Sequence, residues 1–239
     1  MTHELNPKEK INLDTFSKSK TVEEIYNTDG FSKLEEEIIE RYFQPGKVLD
    51  LGCGTGRTTK AFSNKNFEVV GIDYSEAMIT FARSKHPDLD FRVMNACDMD
   101  FNDESFDNIL FSFNGMDSIY PVNKRHDCLK QIYRILKRGG TFAYSSHNAL
   151  GFPFNRTTWS LFIKNLLSLR VFTHYRKDFE ATGALIQYYG SPWREISQLN
   201  AVGFDVLDVM GKKFANKHKI IQYLGNGSLS YVAQKKGIG

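Results

Sequence analysis

The chain has 239 residues, 41 % hydrophobic and 25 % charged, which is enough for one large α/β domain or such a domain with a lid, and too little for two independent cores. Its three cysteines, Cys53, Cys97 and Cys128, are far apart and form neither a Cys-x-x-Cys pair nor a cluster with histidine, which excludes a disulfide framework and a structural zinc site and points to a reducing cytoplasm. A net charge of +3 is too small to announce a nucleic-acid binder, the charged start MTHELNPKEK lacks the apolar core of a signal peptide, and no apolar run approaches the roughly 20 residues of a membrane span.

Residues 1–44 carry six Lys/Arg against ten Asp/Glu and close with the amphipathic stretch SKLEEEIIERYF, whose Leu34, Ile38, Ile39 and Tyr42 share a helical face, so they are expected to form a helical N-terminal cap. Pro45-Gly46 ends it. KVLDLG then reads as a buried strand, because Val48, Leu49 and Leu51 form a run rather than an alternation. A glycine-rich turn leads into the helix RTTKAFSNKN, and FEVVGID is a second buried strand. SEAMITFARSK is a helix with Ser75 as N-cap and Ala77, Met78, Phe81 and Ala82 on one face. The strand DFRVMNA, the strand FDNILFSF, the helix KRHDCLKQIYRIL, a Gly139-Gly140 stop and the strand TFAYSSH follow.

Short apolar strands alternating with helices imply a mostly parallel sheet covered on both faces. The alternation breaks between Asn148 and Gly190, a segment that holds the amphipathic stretch TTWSLFIKNLLSLRVF and is expected to be an inserted substrate lid. It resumes with the helix SPWREISQLNAVG, the strand FDVLDVMG and a closing strand SLSYVAQK. The expected division is a cap over 1–44, a core over 45–147, a lid over 148–190 and the rest of the core sheet over 191–239.

In an open parallel sheet, ligands sit beyond the carboxyl ends of the strands, and the first strand-to-helix turn approaches the ligand backbone to backbone. That is the expected task of Gly52, Gly54 and Gly56. Asp50 lies in the strand before them, and Asp73 ends the next strand, where a carboxylate can accept both hydroxyls of a ribose. Two acids and three glycines together mark a nucleoside site. The spacing is Gly-x-Gly-x-Gly, with Arg57 where the dinucleotide fingerprint needs its third glycine, which argues against a nicotinamide dehydrogenase.

VLDLGCGTGRTT, VVGIDYSEAMITFAR, VMNACDMDF, SFDNILFSFNGM and ILKRGGTFAYSS, in this order from Val48 to Ser146, resemble the successive motifs of the class I S-adenosylmethionine-dependent methyltransferases. The resemblance implies a Rossmann-like, doubly wound sheet of seven strands, mostly parallel with an antiparallel last strand, helices on both faces, and an enzyme that uses S-adenosylmethionine and releases S-adenosylhomocysteine without a metal. It places Asp50 at the methionine amino group, Gly52, Gly54 and Gly56 under the methionine moiety and ribose, Asp73 at the ribose, and Tyr74 and Met78 beside the adenine. Phe113 and Asn114 correspond to the segment facing the methionine part, and Tyr26 resembles an aromatic that closes over the cofactor. The adenine contact falls on Asn95, followed by Ala96 and Cys97, where many relatives carry an aspartate; Asn95 can accept through its amide oxygen, and Asp98 is the alternative.

Methyl transfer from a sulfonium needs positioning and little water, with a general base only for a protonated nucleophile. His147, directly after the fifth strand, is the candidate base, and His126 reads as solvated. The insertion holds Arg156, Lys164, Arg170, Arg176 and Lys177 against Asp178 and Glu180, among many aromatics. With Lys212, Lys213, Lys217 and Lys219 it suggests a basic, aromatic rim, and Asn148, Arg176, Tyr188 and Tyr189 are the substrate-side candidates. A small anionic or aromatic acceptor methylated on O or N is expected. An RNA acceptor, tRNA or rRNA, is the alternative, and a non-catalytic nucleoside-binding subunit is the alternative of another class.

Overall fold

The computed structural model describes residues 7–18, 29–151, 175–180, 183–212 and 218–237. The sheet starts with β1 (Lys47–Leu51), whose residues alternate between two covered faces. Leu49 and Leu51 pack with Ile72, Ile109, Ile132 and Phe142 on one face, and Val48 packs with Ile38, Phe62 and Leu110 on the other. Burial on both faces is why the strand reads as an apolar run. Asp50, two residues from Val48, shares its face and so meets the helix that follows the glycines.

β2 (Glu68–Asp73), β3 (Asp90–Val93), β4 (Phe106–Phe111) and β5 (Leu136–Asn148) join β1 in parallel, linked through α3 (Arg57–Asn64), α4 (Glu76–Lys85) and α5 (Val122–Ile135). Ser75 caps α4 by accepting from the Met78 backbone, as expected, but the buried face of α4 is Met78, Ile79 and Ala82, with Ala77 and Phe81 only partly covered. α5 ends at Ile135, four residues before Gly139, which instead takes a left-handed φ of 74° near the start of β5. α6 (Pro192–Val202), β8 (Phe204–Met210), α7 (Lys219–Gly225) and β9 (Ser228–Lys235) complete the core. β9 runs antiparallel between β5 and β8, giving the order β3-β2-β1-β4-β5-β9-β8. The strand order reverses at β1, flanked by β2 and β4, which sets the binding crevice there.

The seven-stranded core has the expected Rossmann-like topology. Two more strands extend it, for nine among the described residues. β6 (Tyr175–Glu180) and β7 (Gly183–Gly190) form an antiparallel hairpin in the segment expected to be a lid. The cause is an overhang: β4 stops at Phe111 opposite Tyr144, while β5 continues to Asn148. β9 already pairs with one side of His147, and β7 takes the other, with His147 opposite Tyr189 and Asn148 opposite Gly190. The expected lid helix in TTWSLFIKNLLSLRVF, with Arg156, Lys164 and Arg170, lies outside the described residues.

At the N-terminus, α1 (Pro7–Phe16) crosses this hairpin through polar anchors. The buried Asn12 side chain donates to Ser118 O and Ile186 O and accepts from Ile186 N at 2.7–3.0 Å, and Thr15 donates to Ala184 O. α2 (Lys33–Tyr42) starts with a capping box in which Ser32 and Glu35 exchange hydrogen bonds, and it packs Ile38 and Ile39 onto the α3 face of the sheet. No helix among the described residues is long and apolar enough to cross a membrane.

Candidate active site

A cavity of about 390 Å³ opens beyond the carboxyl ends of β1, β2, β4 and β5, with α1 across it. Its first wall is the glycine turn. Gly52 has φ +67°, and a Cβ there would sit 2.6 Å from the Phe111 ring, so both conformation and space demand glycine. Gly54 has φ +53°, but a Cβ there would meet no atom within 4 Å, because the position faces the cavity. The bare backbone therefore opens toward the space a ligand fills.

Asp73, at the end of β2, ties this turn to the next one: its carboxylate accepts from Gly54 N at 3.0 Å and Ser75 N at 2.9 Å. Burial raises its pKa, opposed by those same backbone donors. The residue is itself a wall of the cavity. Tyr74, Met78, Asn95, Ala96 and Cys97 line the same end. Asn95 Oδ1 already accepts from Cys97 N at 2.9 Å, and Asp98 is exposed and not a cavity wall.

Asp50 stands behind the wall rather than in it. One carboxylate oxygen accepts from Thr58 and Thr59 of α3 at 2.7 and 2.6 Å, and the other is buried without a partner. Burial pushes its pKa up to about 6, with the two threonine hydroxyls pulling against the rise. Arg57 holds the loop from its far side. Its guanidinium grips Glu35 through both carboxylate oxygens at 2.9 and 2.7 Å, donates to Gly30 O and Ser112, and lies 4.3 Å over the Phe113 ring. Ser112 also bonds Glu35.

Phe113 and Asn114 follow β4 in left-handed conformation and line the middle of the cavity. At the opposite end His147 is a wall, with the Tyr189 ring beside it at 4.7 Å between ring centroids and tilted by 32°. His147 Nδ1 lies 2.8 Å from Asp117, whose same oxygen accepts from the His147 backbone N–H. The other Asp117 oxygen accepts from Ser146 at 2.7 Å and Arg125 at 3.1 Å. Arg125 is fully buried, bonds Glu195 at 3.0 Å and Met116 O at 2.5 Å, and lies 4.0 Å over the Tyr188 ring. Burial raises the Glu195 pKa against the pull of Arg125, and Tyr144 donates to the carboxylate.

The structure relocates several substrate-side expectations. Tyr188 is buried in the Arg125 cluster, because strand alternation turns it away from its neighbour Gln187, which is a cavity wall. Asn148 is buried and donates to Tyr223 O and Asn226 O, closing the loop before β9. The Arg176 backbone pairs with Gln187, and its side chain lies outside the described residues, as do Tyr26, Lys213 and Lys217. Lys212 is exposed and off the cavity, and Lys219 pairs with Asp208, so the described part of the basic turn is surface. Sequence reasoning missed Asp117, Arg125 and Glu195. A signal existed for two of them: Arg125 shares a helical face with Cys128, Leu129 and Ile132, and Glu195 shares one with Pro192 and Leu199. Among the described residues no group of three His, Cys, Asp or Glu could hold a metal.

A family model described as a methyltransferase domain matches residues 48–140. The chain is similar to a demethylmenaquinone methyltransferase of Renibacterium salmoninarum, 32 % identical over 126 residues, covering 52 % of this chain and 51 % of that one. It is also similar to a phosphatidylethanolamine N-methyltransferase of Cereibacter sphaeroides, 31 % identical over 150 residues, covering 58 % of this chain and 71 % of that one. The match spans about half the length of several of the curated relatives, 51 %, 44 % and 46 % for three of them. A crystal structure of an S-adenosylmethionine-dependent methyltransferase from Methanosarcina mazei superposes with a TM-score of 0.68 at 19 % identity, over 88 % of this chain and all of that one, a likeness of fold.

Proposed function

The chain belongs to the class I S-adenosylmethionine-dependent methyltransferases, and from that premise we propose that it methylates oxygen or nitrogen of a small, aromatic acceptor by in-line displacement. The observation that carries this reading is the single cavity with a nucleoside-binding end, Gly54 and Asp73, and a proton-handling end, His147. When bound, the cofactor supplies an electrophilic methyl group on a sulfonium. Gly54 leaves room for it, Asp73 accepts from the ribose hydroxyls, and Tyr74 and Met78 cover the base. Asp50, with a buried unpartnered oxygen behind Gly52, fits a role toward the ammonium group.

On the acceptor side, Phe113, Asn114, Gln187 and His147 narrow the space, and α1 closes it with Glu9 and Phe16, which excludes water from the line of attack. The exposed Phe113 ring in the cavity wall favours a flat acceptor, whereas Tyr189, expected on the substrate side, backs His147 without lining the cavity. An anionic acceptor has less support, because Arg57 pairs with Glu35 and Lys124 with Glu9. Relatives named for demethylmenaquinone and phosphatidylethanolamine favour a small molecule over RNA.

The test is calorimetric titration with S-adenosylmethionine and S-adenosylhomocysteine, wild type against Asp73→Ala. Removing a largely buried carboxylate that accepts two hydroxyls is expected to weaken both ligands by about 100-fold to 10,000-fold, at about 1.5–3 kcal/mol for each charged hydrogen bond. Failure of wild type to bind either ligand would refute the reading.

A further inference from the structure

We propose that Asp117 is a positioning residue that fixes His147 in the tautomer protonated at Nδ1, leaving Nε2 as proton acceptor for a hydroxyl group of the methyl acceptor. The proposal rests on the methyltransferase reading of the same cavity.

Two independent partners set the tautomer. Asp117 accepts four hydrogen bonds, from His147 N, His147 Nδ1, Ser146 and Arg125, and an ionised carboxylate has no proton to give. Arg125 stands 3.1 Å away with both side chains fully buried, so the carboxylate is ion-paired and Nδ1 must be the donor. On the other side, the Ser228 hydroxyl lies 2.8 Å from Asn114 Oδ1 and 3.1 Å from Ser146 O, and its donation to the nearer Asn114 Oδ1 turns that amide nitrogen toward His147 Nε2 at 3.3 Å. A nitrogen that faces an N–H donor offers a lone pair. The contact is long, so a better-placed O–H can replace it.

The charged and titratable groups around the imidazole are Asp117 from the turn after β4, Arg125 of α5 behind it, and Glu195 of α6 beyond Arg125. Tyr189 of β7 lies beside the ring, and Asn114 and Ser228 are neutral. Asp117 thus holds the ring from behind while its own pairing with Arg125 holds Asp117. The step balances: the acceptor O–H breaks with its proton going to Nε2, the O–CH₃ bond forms as the C–S⁺ bond breaks, and sulfur keeps that electron pair. The imidazolium so formed keeps its Nδ1–H on Asp117, which stabilises the new charge.

Long-range ¹H–¹⁵N correlation spectra of the full chain, labelled at histidine, separate the two neutral tautomers, and His147→Gln assigns the signal. The expected wild-type spectrum has a protonated Nδ1 and an unprotonated Nε2; the reverse tautomer overturns the proposal without any variant of Asp117. In Asp117→Ala, where Arg125 keeps Glu195 and Met116 O, the Nδ1–H preference is expected to be lost. A folded Asp117→Ala that keeps it overturns the positioning role. With S-adenosylhomocysteine present and 4-nitrophenol as hydroxyl probe, at a pH about one unit below that phenol's own pKa, the bound phenolate fraction is expected to rise about threefold or more over free phenol, and to lose that rise in His147→Gln. No binding of the probe, or binding without ionisation, overturns the hydroxyl assignment. Absence of S-adenosylhomocysteine binding to wild type would instead sink the methyltransferase reading and leave the tautomer result standing.

Discussion

The two ends of the cavity are built in opposite ways. The nucleoside end comes from consecutive residues of two neighbouring strand-to-helix turns, Gly52 to Gly56 and Asp73 to Ser75, tied by backbone hydrogen bonds. The acceptor end is held by a buried ion cluster in which Asp117, Arg125, Ser146 and Glu195 come from four separate elements. Local turns make a site that tolerates change around it. A cluster of charges makes one that depends on the whole fold, because removing its central Arg125 leaves two buried carboxylates uncompensated.

The contrast can be tested in descending order of effect. Arg125→Met leaves Asp117 and Glu195 facing each other in the core, and is expected to lower stability by about 3–5 kcal/mol in urea denaturation. A loss below about 1 kcal/mol would show that the acceptor end does not depend on the cluster. Next, Gly52→Ala combines a left-handed backbone with a Cβ at 2.6 Å from Phe111, and is expected to cost about 2–4 kcal/mol of stability. Gly54→Ala meets no protein atom, so its fold should lose about 1–2 kcal/mol from backbone strain alone while calorimetry registers a larger loss of cofactor affinity. Equal stability losses at the two glycines would erase the distinction between a packed wall and an open one.

Asp50→Asn tests the boundary between the halves. Burial lifts the folded-state pKa of Asp50 to about 6, above roughly 3.9 in the unfolded chain. Between those values the native state holds more protons than the unfolded state, so this group's contribution to stability falls as pH rises through that window. The asparagine variant is expected to be about 1–3 kcal/mol more stable at pH 7.5, with a flatter pH profile than wild type between pH 4 and 6 in parallel denaturant titrations. A profile unchanged by the substitution would place the Asp50 carboxylate in a better-solvated setting. Smallest is Lys219→Ala, which breaks a half-exposed pair with Asp208 and should lower stability in urea denaturation by no more than about 1 kcal/mol, with cofactor affinity intact.

That Gly52, Gly54 and Asp73 meet in one cavity was legible because their signals are short in sequence: glycines at alternate positions after a buried strand, and an acid closing the next strand. The strand order followed for the same reason, since each helix and strand declares its own periodicity. His147 was legible as a residue at a strand end, but not as half of a dyad, because Asp117 sits in a brief 3-10 turn with no periodic pattern to mark it. Arg125 was hidden by its neighbours in KRHDC, which read as a charged face until the apolar partners at positions three, four and seven residues on are compared. The β6–β7 hairpin escaped because its pairing is set by how far β5 outruns β4, a difference in strand lengths that no local pattern encodes.

That overhang also bears on how the protein can diversify. β5 and β7 run parallel and end side by side, Asn148 opposite Gly190, with Ala149 N bonded to Gly190 O at 2.7 Å, so the sheet itself holds together the two ends of the excursion between them. Doubling or halving a loop whose ends are already held changes its closure entropy by only about 0.6 kcal/mol. A change of length between β5 and β6 therefore costs the fold little, whereas β7 has to stay, because Tyr188 lies under Arg125 and Tyr189 lies against the imidazole.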